Sequence, residues 1–180
     1  MKPIWTYAWT WVAVVALAML MALASPRESG VMGRLPVEVG QKLETKPQRA
    51  FSGEERILAL VTFHKHQRAQ VDSWVVGLRL HENHLVPWVR MPVIDDPKDA
   101  DKRAAAQDRL LSRYSSARER DRLLPVFTDR AAFVQATGVR GTDKAMVLVI
   151  TRNGEVLARV LGEYDEEKAQ IVRDSMLLDL

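Results

Sequence analysis

The residues of this chain that could hold a metal or move a proton are concentrated in one short stretch. His64, His66, His81 and His84 are its only histidines. Imidazole pairs bind zinc or copper, and single imidazoles shuttle protons near neutral pH. His64-Lys65-His66 turns two rings to one side where the backbone is extended. His81 and His84 are neighbours at i, i+3 where it is helical. The two pairs sit far apart: at the helical rise, His81 lies roughly 18 Å from residue 69, so they do not share an ion. The expectation is partly exposed or capping histidines and no resident metal, with His64 and His66 the pair an ion would use. For acid–base work the candidates are His64, His66, Asp72 and Asp143. Asp72 is explained as a carboxylate in the first turn of a helix, or as the i+4 partner of Arg68. No serine or threonine stands beside a histidine in a nucleophilic pattern, and no catalytic residue is assigned.

Sulfur chemistry is closed by composition. The chain contains no cysteine. Disulfides, thiolate nucleophiles, thiolate zinc sites and iron–sulfur clusters are therefore excluded. Lysine and arginine number 26 against 23 aspartates and glutamates, a net charge of +3 in 180 residues. Charges of both signs are interleaved, which describes a solvated surface rather than a nucleic-acid footprint. No cofactor is expected.

Met1-Lys2 precedes an uncharged run from Pro3 to Ala24. Read as a signal peptide, it has Lys2 in the n-region and Ala22-Leu23-Ala24 as its cleavage site before Ser25. Read as an anchor, Ile4 to Ala24 meets the requirement of about 20 apolar residues, with Trp5, Tyr7, Trp9 and Trp11 as an interfacial belt. Either way the remainder is exported, and an uncleaved segment ties it to a membrane. Residues 25–52, rich in proline, glycine and charge, read as a tether in which LPVEVG makes one short strand. Residues 53–180 form the folded domain.

The elements that must position the candidate residues follow from periodicity. RILALVTF, Arg56 to Phe63, reads as a buried strand. Val71, Trp74, Val75 and Leu78 then fall on one helix face, which makes Trp74 a packing residue. HLVPWVRMPVID reads as a second strand, with Trp88 in the core and with Pro87 and Pro92 arguing against a central position. A basic helix spans DPKDADKRAAAQDRLLSRYSSARERDR, with a thin stripe of Ala104, Leu111 and Tyr114 and an Asp99–Arg103 ion pair. Its charges read as a solvated face, the rival being a docking surface for an acidic partner or lipid headgroups. LLPVFTD is a third strand. Thr128 or Asp129 caps a short helix that Gly138 ends. KAMVLVITRNGEVLARVLG is a hairpin about Asn153-Gly154. A last helix is capped by Asp165.

Strand, helix, strand, helix, strand, helix, hairpin, helix implies an α/β domain with a mixed central sheet flanked by helices. This order, with LLPVFTDRAAFVQATGV and KAMVLVITRNGEVLARVLG, resembles the thioredoxin-like superfamily, in particular its peroxiredoxin and thiol-peroxidase branch. The resemblance covers about Ile57 to Leu178. It places Arg68 to Val71 where redox members carry C-x-x-C, and Thr142-Asp143-Lys144 where thioredoxins carry a cis-proline. Both halves of the redox site are missing, so thiol–disulfide exchange is excluded. VTFHKHQRAQVDSW and VLVITRNGEVLARVLGEYDEE are similar to segments of the mitochondrial ATP-synthase assembly factor family and its bacterial relatives, whose fold also lacks the cysteines. The resemblance implies a binding or assembly role for an envelope protein. It makes the vestigial rim, His64, Lys65, His66, Gln67, Arg68, Gln70, Thr142, Asp143 and Lys144, a surface for a polypeptide partner. A histidine-based metal carrier and a non-thiol enzyme are the alternatives.

Overall fold

In the computed structural model the described residues are 32–36, 39, 56–83 and 86–177. All lie in the unit Val31–Leu180. The segment 1–24 and His84 lie outside the described residues, and none of the described helices is long and apolar enough to cross a membrane.

Six strands form one sheet: β1 (Gly33–Arg34), β2 (Arg56–Thr62), β3 (Trp88–Asp95), β4 (Val126–Thr128), β5 (Met146–Thr151) and β6 (Glu155–Leu161), in the order β1-β6-β5-β2-β3-β4. β2, β3 and β4 run parallel, while β5, β6 and β1 are antiparallel additions. Among the described residues the α-helices that accompany them are α1 (Arg68–Gly77), α2 (Ala100–Leu111), α3 (Ala117–Asp121), α4 (Arg130–Ala136) and, after the last strand, α5 (Glu166–Met176). The expected mixed sheet and element order from Arg56 onward are observed.

The central strands are apolar on both faces because helices cover both. In β2, Ile57, Ala59 and Val61 share a cluster with Phe133 and Val134 of α4. Leu58 and Leu60 point the other way, into a cluster with Val71, Trp74 and Val75 of α1 and Ala169 and Val172 of α5. Trp74 and Trp88 are fully buried, and each indole N–H finds a carbonyl: Gly162 for Trp74 at 2.9 Å, Leu80 for Trp88 at 3.1 Å. Burying an aromatic without orphaning its N–H is what makes such a position stable.

Several expectations are corrected. β3 is internal, pairing with β2 on one side and β4 on the other. Pro92 is tolerated because the β3–β4 ladder is interrupted there. Arg90 bridges Leu123, and pairing resumes only at Val93↔Val126. The N–H groups of residues 90 and 92 face the same edge, so the missing donor falls in the gap. The basic helix is two helices, broken at residues 112–116, where the Ser116 hydroxyl caps α3 by accepting from Glu119 N. Arg103 Nη2 donates to both carboxylate oxygens of Asp96, at 2.7 and 2.8 Å, while Asp99 caps α2 by accepting from Lys102 N. α2 buries no residue, and Ala104 is exposed. The hairpin turn has positive φ at Gly154 but not at Asn153, with Gly154 N donating to Thr151 O. That is a three-residue loop with glycine at its left-handed position rather than a two-residue turn. Asp129 and Asp165 cap α4 and α5 as expected. Gly33–Arg34, upstream of LPVEVG, pairs antiparallel with β6, and Leu35 and Val39 join the core.

Candidate functional site

The rim residues are assembled where β2 ends. After Thr62 the chain turns through one 3-10 turn, Lys65–Gln67, directly into α1. Gln67 is fully buried. Its Oε1 accepts from Phe63 N at 2.7 Å and His64 N at 3.1 Å, and its Nε2 donates to Thr142 O at 2.5 Å. Gln70 Oε1 accepts from Ala145 N at 2.7 Å. His64 Nε2 lies 3.3 Å from Thr142 Oγ1. Two side-chain amides thus clamp the loop before β5 against the start of α1. They satisfy backbone groups that neither the sheet nor the helix reaches.

Thr142, Asp143 and Lys144 therefore do lie beside His64–Gln70. The nine residues are not equivalent, however. Gln67 is not accessible and acts by positioning its neighbours. Gln70, His64 and Thr142 are half-buried. Lys65, His66, Arg68, Asp143 and Lys144 are the exposed members.

The His64 and His66 rings stack, with centroids 5.4 Å apart and planes 7° from parallel. Imidazole lone pairs lie in the ring plane, so stacked rings aim at two different points rather than at one ion. Among the described residues no three histidine, aspartate or glutamate side chains are grouped to hold a metal. α1 ends at Gly77, so His81 is on the turn beyond it rather than on a helix. Its ring packs edge-to-face on Trp88 at 5.6 Å.

Asp72 stands past the first turn of α1, because that helix begins at Arg68. Its partner is Arg90 at 2.8 Å, with Arg68 at 3.8 Å on its other oxygen. Arg90 sits inside β3, 6% exposed, and its Nε has no hydrogen-bond partner. Its only ion-pair partner among the described residues is Asp72. A cleft of about 430 Å³ opens above Arg90, between the C-terminal ends of β2 and β3, the start of α1 and the inner side of α2. His66 and Asp143 line neither this cleft nor a shallower one beside α4. No pocket therefore forms about that acid–base pair in either cleft. At the far side, Arg103 holds the Asp96 carboxyl below its usual range, helped by the Lys98 backbone N–H.

Arg90, Arg109, Arg113 and Tyr114 were not singled out as site residues by sequence reasoning. One signal was present: WVRMPVID is an apolar strand with a single charge, and a lone arginine in a buried strand needs a reason to be there.

No family model matches the chain, and no curated protein matches it. Three solved structures illustrate the comparison with known folds. BsSco, of the Sco family of cytochrome c oxidase assembly proteins, is 13% identical over 69% of this chain and 82% of its own, with a TM-score of 0.44. A protein of Aquifex aeolicus VF5 with a proposed electron transfer role is 10% identical over 81% and 98%, with a TM-score of 0.48. A thiol:disulfide interchange protein, a thioredoxin family protein of Chlorobium tepidum TLS, is 12% identical over 72% and 84%, with a TM-score of 0.36. Likenesses of this strength carry no argument about this chain.

Proposed function

We propose that this chain is a thioredoxin-like protein of the cell envelope that holds a polypeptide partner on its cysteine-free rim, in the assembly or maturation of a membrane complex. The observation that carries the reading is the double amide clamp. Gln67 and Gln70 tie Thr142 and Ala145 to the start of α1, so the rim is built without sulfur. A preformed surface binds without first having to order itself. Lys65, Arg68 and Lys144 give the exposed part of the rim a cationic character with Asp143 as its counterweight, which suits an acidic segment. With no thiol in the chain, electrons have no route through a dithiol, which supports contact as the use of this surface. The apolar run Pro3 to Ala24 supports the envelope location. The similarity of VTFHKHQRAQVDSW to ATP-synthase assembly factors motivates the assembly role.

Proximity labelling of the full chain in its native cell tests the reading. A Lys65→Glu, Lys144→Glu variant changes only exposed side chains and is expected to fold, which its circular dichroism checks. It is expected to lose a defined set of neighbours that the unaltered protein labels. Identical labelled sets for the two proteins would show that the rim is not the contact surface.

A further inference from the structure

We infer that the cleft over Arg90 is a binding site for a small organic anion with an apolar body. The inference stands apart from the partner reading, although His64, Lys65 and Arg68 belong to both surfaces. Three observations converge on it.

The first is charge. Lys65, Arg68, Arg90, Arg109 and Arg113 all line the cleft, and no carboxylate does. Asp72, outside the lining, is shared between Arg90 and Arg68. Neither Arg109 nor Arg113 is ion-paired among the described residues. In a chain whose net charge is only +3, this is a local concentration of positive potential.

The second is Arg90 itself. Its side chain is 8% exposed and bonds Asp72 through Nη1, while its buried Nε–H is unsatisfied. Desolvating a guanidinium with an orphaned donor is unfavourable for folding, and an anion in the cleft would offset that cost. Trp88 stacks at 5.7 Å from its guanidinium carbon and fixes its orientation.

The third is shape and position. The cleft lies at the carboxyl ends of two parallel strands, the usual place for ligands in α/β sheets. Its volume of about 430 Å³ falls within the range of small-molecule sites. Leu60, Val71 and Pro92 form an apolar floor, and Leu110 and Tyr114 form a half-buried wall. Arg68 stacks 5.1 Å from the Tyr114 ring centre and closes one end. A flat surface for a macromolecule lacks such a wall. α2 buries nothing in the core, and two of its three half-buried residues, Ala106 and Leu110, line this cleft. An anionic head against the arginines and an apolar body against the floor match both halves of the lining.

Calorimetric titration of the full chain with three probes tests this. 1-Naphthaleneacetate carries both parts, 1-naphthaleneacetamide lacks the charge, and acetate lacks the body. Naphthaleneacetate is expected to bind, and to bind roughly tenfold or more tighter than either of the others, with affinity falling as salt rises. Arg109→Gln with Arg113→Gln, the first on α2 and the second two residues beyond its end, neither ion-paired among the described residues, is expected to weaken that binding by a similar factor, on the order of tenfold. Arg118→Gln on α3, outside the cleft, is expected to leave it unchanged. Equal binding of acid and amide, no binding of naphthaleneacetate, or an unaffected double variant would each overturn the assignment.

Discussion

Gln67 is the residue on which the rim turns. One neutral side chain serves two backbone donors on one strand end and one acceptor on a loop that is far away in sequence. Replacing it with alanine leaves Phe63 N, His64 N and Thr142 O without partners in a buried place. Gln67→Ala is expected to lower stability by about 1–3 kcal/mol, measured by denaturant unfolding. Lys65→Ala, two residues earlier and exposed, is expected to change it by no more than about 0.5 kcal/mol. The pair of measurements separates a positioning residue from a surface one. A Gln67→Ala protein as stable as the parent would remove the clamp from the account. At this scale the sequence was partly legible. Histidines, glutamines and Thr142 could be placed near each other through the fold they resemble. Which of them is buried could not be, because a glutamine reads as polar surface until a loop carbonyl arrives at its amide.

At the scale of elements, the join between α1, β6 and α5 depends on close approach. Tyr164 lies against the end of α1 and packs edge-to-face on Trp74, with ring centroids 5.3 Å apart. A Cβ at Gly77 would come within 2.5–2.6 Å of the Tyr164 ring. Tyr164 is pinned from both ends: its backbone N–H donates to Ser73 Oγ at 3.0 Å, and its hydroxyl donates to Glu166 at 2.6 Å. The ring therefore has little freedom to move aside. Gly77→Ala is expected to be destabilising by about 1–3 kcal/mol, despite alanine's better helix propensity, and thermal melts would show it. A stabilised Gly77→Ala would mean that the ring yields freely. β2, α1, β5 and β6 were legible because their apolar periods are strong. The break between α2 and α3 was not, because residues 112–116 include no glycine or proline and only the Ser116 cap marks the restart.

For the molecule as a whole, pH sensitivity is expected from the start of α5 and from Asp96, where carboxyls lie below their ordinary range. The Tyr164 hydroxyl, then Arg173, hold the Glu166 carboxyl below its ordinary 4.5. Asp165 is held below its ordinary 3.8, first by its hydrogen bond from the Lys168 side chain, and Asp96 is lowered by Arg103. A depressed carboxylate stabilises the fold fully above its unfolded value and loses that contribution as pH falls through its folded value. Melting temperature is therefore expected to decline once pH drops below about 4.5, and Glu166→Gln is expected to flatten that decline. On the alkaline side, the Glu166 carboxylate raises the Tyr164 phenol above its ordinary 10.0. That contribution is whole below pH 10 and is lost as pH rises through the raised value. Melting curves from pH 3 to 11 for the protein and for Glu166→Gln check both limbs; parallel profiles for the two would remove Glu166 from the account.

Composition and pattern alone settled what this protein cannot do and most of what it must build. A chain without cysteine has no thiol chemistry in any fold, and runs of period two and period 3.6 bury themselves as strands and helices wherever they are placed. The tertiary structure decided which distant residues meet. Arg90, Arg68, Arg109 and Arg113 come from β3, α1, α2 and the turn after α2, and only the placing of α1 and α2 over the strand ends puts their charges into one cleft. Stacking of His64 on His66, burial of Gln67 and the Asp72–Arg90 pair are decided the same way. Side-chain meetings depend on where loops close, and no local pattern encodes that.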